Sequence, residues 1–95
     1  MKVVGRKAVF QFATVHPDAR TPLDDWRRIV KTANWRSITE VRNVFPHADF
    51  VHTFTVFNIG GNKYRLVTRI EYRAGLVQVK WVLTHKEYDK GWWKR

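Results

Sequence analysis

The residues most able to do chemistry lie near the end of the chain, in Thr84-His85-Lys86-Glu87-Tyr88-Asp89-Lys90. His85 carries the one side chain whose unperturbed pKa falls near neutrality, so it can give or take a proton at physiological pH. Tyr88 can donate or accept a hydrogen bond and can stack on a base. Lys86 and Lys90 can hold a phosphate. A hydrogen-bonded structural histidine is the plainer reading of His85, and from the residues alone both readings stand. A second group of candidates comes from alternation. Residues 63–72 (KYRLVTRIEY) place Tyr64, Leu66, Thr68 and Ile70 on one side of a strand, and Lys63, Arg65, Val67, Arg69 and Glu71 on the other. With Lys80 from the next strand, four cations share a sheet face on which Glu71 is the single acid. A merely solvated face usually mixes signs, so this one reads as a platform for phosphates.

The rest of the composition narrows the choice. Eighteen Lys and Arg against eight Asp and Glu give the 95-residue chain a net charge of +10. So basic a domain points to a polyanionic partner such as nucleic acid or the ribosome. Cysteine is absent, which excludes disulfides and thiolate chemistry and fits a reducing cytoplasm. The other histidines, His16, His47 and His52, read as structural or surface groups. The four show no metal-ligand spacing, so neither metal nor cofactor is expected. No Gly-rich phosphate loop is present, since Gly60-Gly61 lacks the Lys-Ser/Thr that would follow it. Asp24-Asp25 read as helix-dipole partners and Glu40 as a capping-box member. No apolar run is long enough to span a bilayer, and the N-terminus lacks the apolar stretch of a signal peptide. The expected location is the cytoplasm.

The elements that must position these residues fall into two halves of one domain, residues 1–95. Met1–Val4 is short and β-branched, an edge or first strand. Gly5 can cap a helix whose apolar residues, Val9, Phe12 and Ala13, recur at helical spacing until His16-Pro17. Thr21 as cap and Pro22 at the first helical position predict a second helix, with Leu23, Trp26, Val30 and Ala33 as its inward stripe. Ser37-Ile38-Thr39-Glu40 is a capping-box pattern opening a short third helix, which Phe45-Pro46 stops. The period then changes to two. Val51–Ile59, residues 63–72 and a strand through Val77, Val79, Trp81 and Leu83 are joined at Gly60-Gly61-Asn62 and Arg73-Ala74-Gly75. Short turns imply an antiparallel meander covered on one face by the helices, an α+β domain. Trp92 and Trp93 read as packed against the helices, with base stacking as the alternative.

The second half resembles the HigB family of toxins. Residues 57–67 (FNIGGNKYRLV) are similar to the family's central motif, and Thr84-His85-Lys86-Glu87-Tyr88-Asp89 to its C-terminal motif. In the first half Arg6-Lys7-Ala8, His16-Pro17-Asp18-Ala19, Trp26, Ala33-Asn34-Trp35 and Val44-Phe45-Pro46 have counterparts, so the resemblance covers nearly the whole chain. It implies a RelE-like fold, a curved antiparallel sheet of about four strands with the N-terminal helices on one face. It implies cleavage of messenger RNA, usually on the translating ribosome, without a metal. It also implies a HigA-type antitoxin with a helix-turn-helix region, in a hetero-oligomeric complex. Arg65 matches the sheet arginine that stabilises charge at the scissile phosphate, with His85 as base or acid, Tyr88 as a second candidate or stacking group, and Lys86 to position or protonate. Lys63, Arg69, Lys80 and Lys90 are the expected phosphate contacts. The alternative is a non-catalytic binding module of the same fold, acting on gyrase as ParE-type relatives are thought to do, or binding only an antitoxin.

Overall fold

The computed structural model describes residues 1–94. Along the chain the elements are β1 (Lys2–Val4), α1 (Arg6–Val15), a 3₁₀ turn (Pro17–Ala19), α2 (Arg20–Thr32), α3 (Ile38–Val44), β2 (Asp49–Val51), β3 (Phe54–Ile59), β4 (Tyr64–Glu71), β5 (Leu76–Thr84), α4 (His85–Lys90) and a last 3₁₀ turn (Trp92–Lys94). The sheet has five strands in the order β1-β5-β4-β3-β2. β2 through β5 form the expected antiparallel meander, and β1 joins its far edge parallel to β5, with Val3 opposite Val77. The α+β, RelE-like architecture is therefore present, as a mixed sheet with a fifth strand.

The additional strand comes from a turn that composition does not mark. The span 51–59, which alternation presents as one strand, is cut by a two-residue hairpin that pairs Val51 with Phe54. His52 takes φ 57 there, the left-handed region that histidine tolerates better than most side chains. At the other edge Gly5 is held at φ +89 between β1 and α1, so close to β5 that a Cβ would lie 2.7 Å from the carbonyl oxygen of Val79. Only glycine fits both the angle and the space.

α2 begins earlier than its cap signals predict. It runs straight on from the 3₁₀ turn with Ala19 as its N-cap, so Thr21 does not cap. Pro17 opens that turn, where a missing N–H costs nothing, and Pro22 falls among the first four helical residues, whose N–H groups lack partners in any helix. The inward stripe is as expected, with Leu23, Trp26 and Val30 buried. Ser37 caps α3 by accepting from the Glu40 N–H, while the Glu40 carboxylate accepts from the Arg36 N–H at 2.6 Å. These helices bury Trp26, Trp35, Phe57, Leu66, Val77 and Val79 in a core on one face of the sheet.

The other face is not open. It carries a second apolar cluster of Phe54, Val56, Val67, Leu83 and Trp93, with Trp81 and Tyr88 packed against it. A β-bulge and a missed helix create it. The pairing of β4 with β5 jumps from Val67–Trp81 to Thr68–Val79, leaving Lys80 as an extra residue in β5. One extra residue inverts the alternation. Val77 and Val79 therefore face the helical core, and Trp81 and Leu83 face the opposite side, not one common face as unbroken alternation predicts. α4 then folds back over that side. Its opening is a complete capping box, with Thr84 Oγ1 accepting from the Glu87 N–H and Glu87 Oε1 accepting from the Thr84 N–H at 3.0 Å. Gly91 ends it in the left-handed conformation at φ 75. The turn brings Trp93, fully buried, against Tyr88 and Phe54 rather than against the N-terminal helices.

Candidate catalytic site

Arg65 is the centre of the arrangement. It lies on the second face of β4, directly opposite Asn58 on β3 and Leu83 on β5. Its relative exposure is 9%, so the guanidinium is nearly buried rather than displayed on a solvated platform. Nη2 donates to Asn62 Oδ1 at 2.6 Å, and Nη1 donates to the carbonyl oxygens of Asn62 and Tyr64 at 3.3 and 3.2 Å. The guanidinium carbon lies 5.5 Å from the centre of the Tyr88 ring. Among the described residues no carboxylate pairs with it. A charge so deep in the protein is costly unless a counter-charge arrives, and Arg is always protonated. Among the described residues Nε–H and one Nη2 hydrogen have no acceptor, so the fork has donors to spare.

α4 starts against the end of β4 and brings Tyr88 to Arg65. The His85 backbone N–H donates to the Lys63 carbonyl at 3.1 Å, tying the helix start to the strand end that carries Arg65. One turn on, Asp89 Oδ2 lies 3.0 Å from His85 Nδ1. A carboxylate at Nδ1 favours the tautomer with the proton there and leaves Nε2 free to take or give another. His85 is half exposed, and Lys86 next to it in the chain is exposed.

Tyr88 is partly buried. Its ring stacks on Trp93 at 4.8 Å between centroids, and the Arg65 guanidinium lies over it, so both protein groups compete with a nucleobase for its faces. Burial is the main cause pushing its pKa above the ordinary tyrosine value, and the carboxylate of Asp49 adds to it against the opposing effect of Arg65. The phenol is thus neutral at physiological pH, suited to donating a proton or hydrogen bond and unsuited to acting as a base.

The expected phosphate contacts divide. Lys63 is not beside Arg65. Its ammonium donates to Asp18 Oδ2 at 3.0 Å, and the neighbouring Tyr64 hydroxyl donates to Asp18 Oδ1 at 2.6 Å, so both are turned toward the helical side. The Tyr64 bond, then Lys63, holds the Asp18 carboxyl below the ordinary value. Arg69 is on the same sheet face as Arg65 but 3.8 Å from Glu71, an exposed pair. Lys80 stands exposed on the bulge and Lys90 exposed in the last turn of α4, both without a carboxylate partner among the described residues. Asn62, Asp89 and Trp93 have positioning roles that strand alternation does not reveal. The Thr84-x-x-Glu87 capping box was the available signal for α4, and a helix there puts His85 and Asp89 four residues apart on one side. No group of three or more His, Cys, Asp or Glu among the described residues could hold a metal ion. No described helix is long and apolar enough to cross a membrane.

A small basic α+β domain with a nearly buried arginine on one sheet face and a His–Asp pair on the helix after the last strand belongs with the RelE-like toxins in architecture. The sequence match agrees with this. Residues 19–91 match HigB_toxin, the RelE-like toxic component of a toxin-antitoxin system, and the chain belongs to that family. The mRNA interferase toxin HigB of Escherichia coli K12 is 28% identical over 92 residues, covering 94% of this chain and 88% of that protein. The mRNA interferase HigB of Shigella flexneri has the same identity and coverage, and that of Escherichia coli O6:H1 is 26% identical over 93 residues.

Proposed function

We propose that this toxin is an endoribonuclease that cuts messenger RNA by attack of a ribose 2′-hydroxyl on its own 3′ phosphate. The observation that carries the reading is the nearly buried Arg65 guanidinium, held by Asn62 and Tyr88 and lacking a carboxylate partner among the described residues. A phosphodiester supplies the missing charge, and the fork binds it more tightly as negative charge grows on the non-bridging oxygens. Nε2 of His85 takes the proton from the 2′-hydroxyl while Asp89 stabilises the imidazolium that forms. Lys86 protonates the departing 5′ oxygen, Tyr88 holds Arg65 in place, and the products are a 2′,3′-cyclic phosphate and a free 5′-hydroxyl. Arg69, Lys80 and Lys90 line the flanking RNA. Side chains supply all the positive charge this route needs, so it is metal-independent.

The relatives' names, mRNA interferases, favour messenger RNA as the substrate. Cleavage takes place on the ribosome in the cytoplasm, and a HigA-type antitoxin with a helix-turn-helix region forms a hetero-oligomer with the toxin and silences it. The test is cleavage of a defined transcript with and without ribosomes, in EDTA, by the wild-type chain and its Arg65→Ala and His85→Ala forms. Ribosome-stimulated cleavage insensitive to EDTA and lost in both variants is expected. Growth arrest by the wild type with intact transcripts and a DNA-damage response would instead indicate the gyrase-directed binding module.

A further inference from the structure

One concavity of the molecule plays no part in the site above. It is a groove of about 740 Å³ between α1 and α2, in the helical layer, on the opposite side of the sheet from Tyr88 and Trp93. Its floor is apolar, made by Val3, Val9, Ala13, Leu23 and Trp26. Phe10 stands at its edge with 67% of its surface exposed, continuing the apolar floor to the rim. The rim is basic: Arg6 and Lys7 from α1, Arg20 and Arg27 from α2, and Asp24 as the one acid. None of these four cations has a carboxylate partner among the described residues, whereas Arg28, on the outer side of α2, pairs with Asp25.

We propose that this groove is the docking site for an acidic amphipathic helix of the antitoxin. Apolar anchors of that helix cover Phe10 and the floor, and its Asp and Glu side chains meet the four cations. The rows that face the groove follow helical spacing, Arg6-Phe10-Ala13 on α1 and Arg20-Asp24-Arg27 on α2, which an incoming helix with anchors at i, i+4 and i+7 matches. A strand fits poorly, because helices offer no free backbone groups to pair with it. A nucleic acid would use the cations but not the aliphatic floor, and would leave Phe10 uncovered. The antitoxin identity rests on the reading of this chain as a toxin with a protein antagonist. The placement leaves Arg65 and His85 uncovered by this contact.

The experiment is calorimetric titration of the full chain with the purified product of the reading frame beside its gene, together with cleavage assays of the free chain. Phe10→Asp and Arg27→Glu are each expected to weaken binding tenfold or more, and Arg20→Glu/Arg27→Glu about a hundredfold, with Arg27→Lys close to wild type. Arg73→Glu, in the exposed β4–β5 turn, should change binding little. All groove variants should cleave RNA as fast as the wild type and escape neutralisation. Unchanged affinity in the groove variants, no binding by the wild-type chain, or loss of ribosome affinity with antitoxin binding intact would each overturn the proposal. Failure of the wild-type chain to cleave RNA would count against the nuclease reading alone, because the binding titrations still decide the groove.

Discussion

Replacing Arg65 by Met separates a catalytic guanidinium from a structural one. Three hydrogen bonds from the charged fork are lost, and at about 1.5 kcal/mol each they amount to roughly 4.5 kcal/mol of stabilisation. Against this stands the cost of holding a charge at 9% exposure without a counter-ion, of the order of several kcal/mol. Met fills much of the same volume and keeps contact with Tyr88 and Leu83, and the exposed Asn62 returns its acceptors to water. The two effects nearly cancel, so stability should change by no more than about 1 kcal/mol, a shift of about 4–8 °C in melting temperature for a domain of this size. Catalysis has no such compensation. Loss of preorganised donors at the phosphate should lower single-turnover cleavage about 10²–10³-fold, roughly 2.7–4 kcal/mol of transition-state stabilisation. Urea unfolding followed by tryptophan fluorescence, with cleavage of one defined transcript, reads both quantities. A variant that loses 3 kcal/mol or more of stability yet cleaves within tenfold of wild type would refute the reasoning, since the guanidinium would then be a strut. Arg65→Lys keeps the charge but not the fork, and should fall between Met and wild type in activity.

Three further outcomes follow from the packing. Trp93→Ala should cost about 3–5 kcal/mol, because the fully buried indole fills the second core; denaturant unfolding measures it, and the freed Tyr88 ring should lower cleavage as well. Gly5→Ala should destabilise the fold or displace β1 from β5, since φ is +89 and the new Cβ would press on the Val79 carbonyl; thermal melts should show the loss, and a melting temperature equal to wild type would contradict the tight fit. Asp18→Asn should lower stability at neutral pH but not in acid. The Asp18 carboxyl titrates below its unfolded value of 3.8, so its contribution is present above that value and disappears as pH falls through the lower folded one. Melts taken from pH 7 downward should therefore show a gap between wild type and variant that narrows as the Asp18 carboxyl protonates.

What the chain alone settled is what depends on local rules and on composition. The change of hydrophobic period from 3.6 to 2 near residue 50 separates helices from strands, because neighbours on a helix face recur every three to four residues and on a strand face every two. Leu23, Trp26 and Val30 were legible as a core stripe, Gly60-Gly61 and Gly75 as turns, and the charge of +10 as a preference for a polyanion, each without tertiary information. The motifs around Arg65 and His85 carried the family resemblance as well. Tertiary structure decided the rest. Whether β5 keeps its alternation depends on the pairing register against β4, and the single extra residue Lys80 sends Trp81 and Leu83 to the far side. Whether Arg65 is open or buried depends on α4 and Trp93 folding back across that face, which no spacing within β4 encodes. Lys63 and Arg65 are two residues apart in sequence, but the bonds from Lys63 and Tyr64 to Asp18, forty-five and forty-six positions away, turn Lys63 to the helical side. Alternation records only which side of a strand a residue leaves from; which other elements come to rest on that side is set by long-range contacts, and here those contacts convert one of a row of expected surface cations into a nearly buried arginine against the Tyr88 ring.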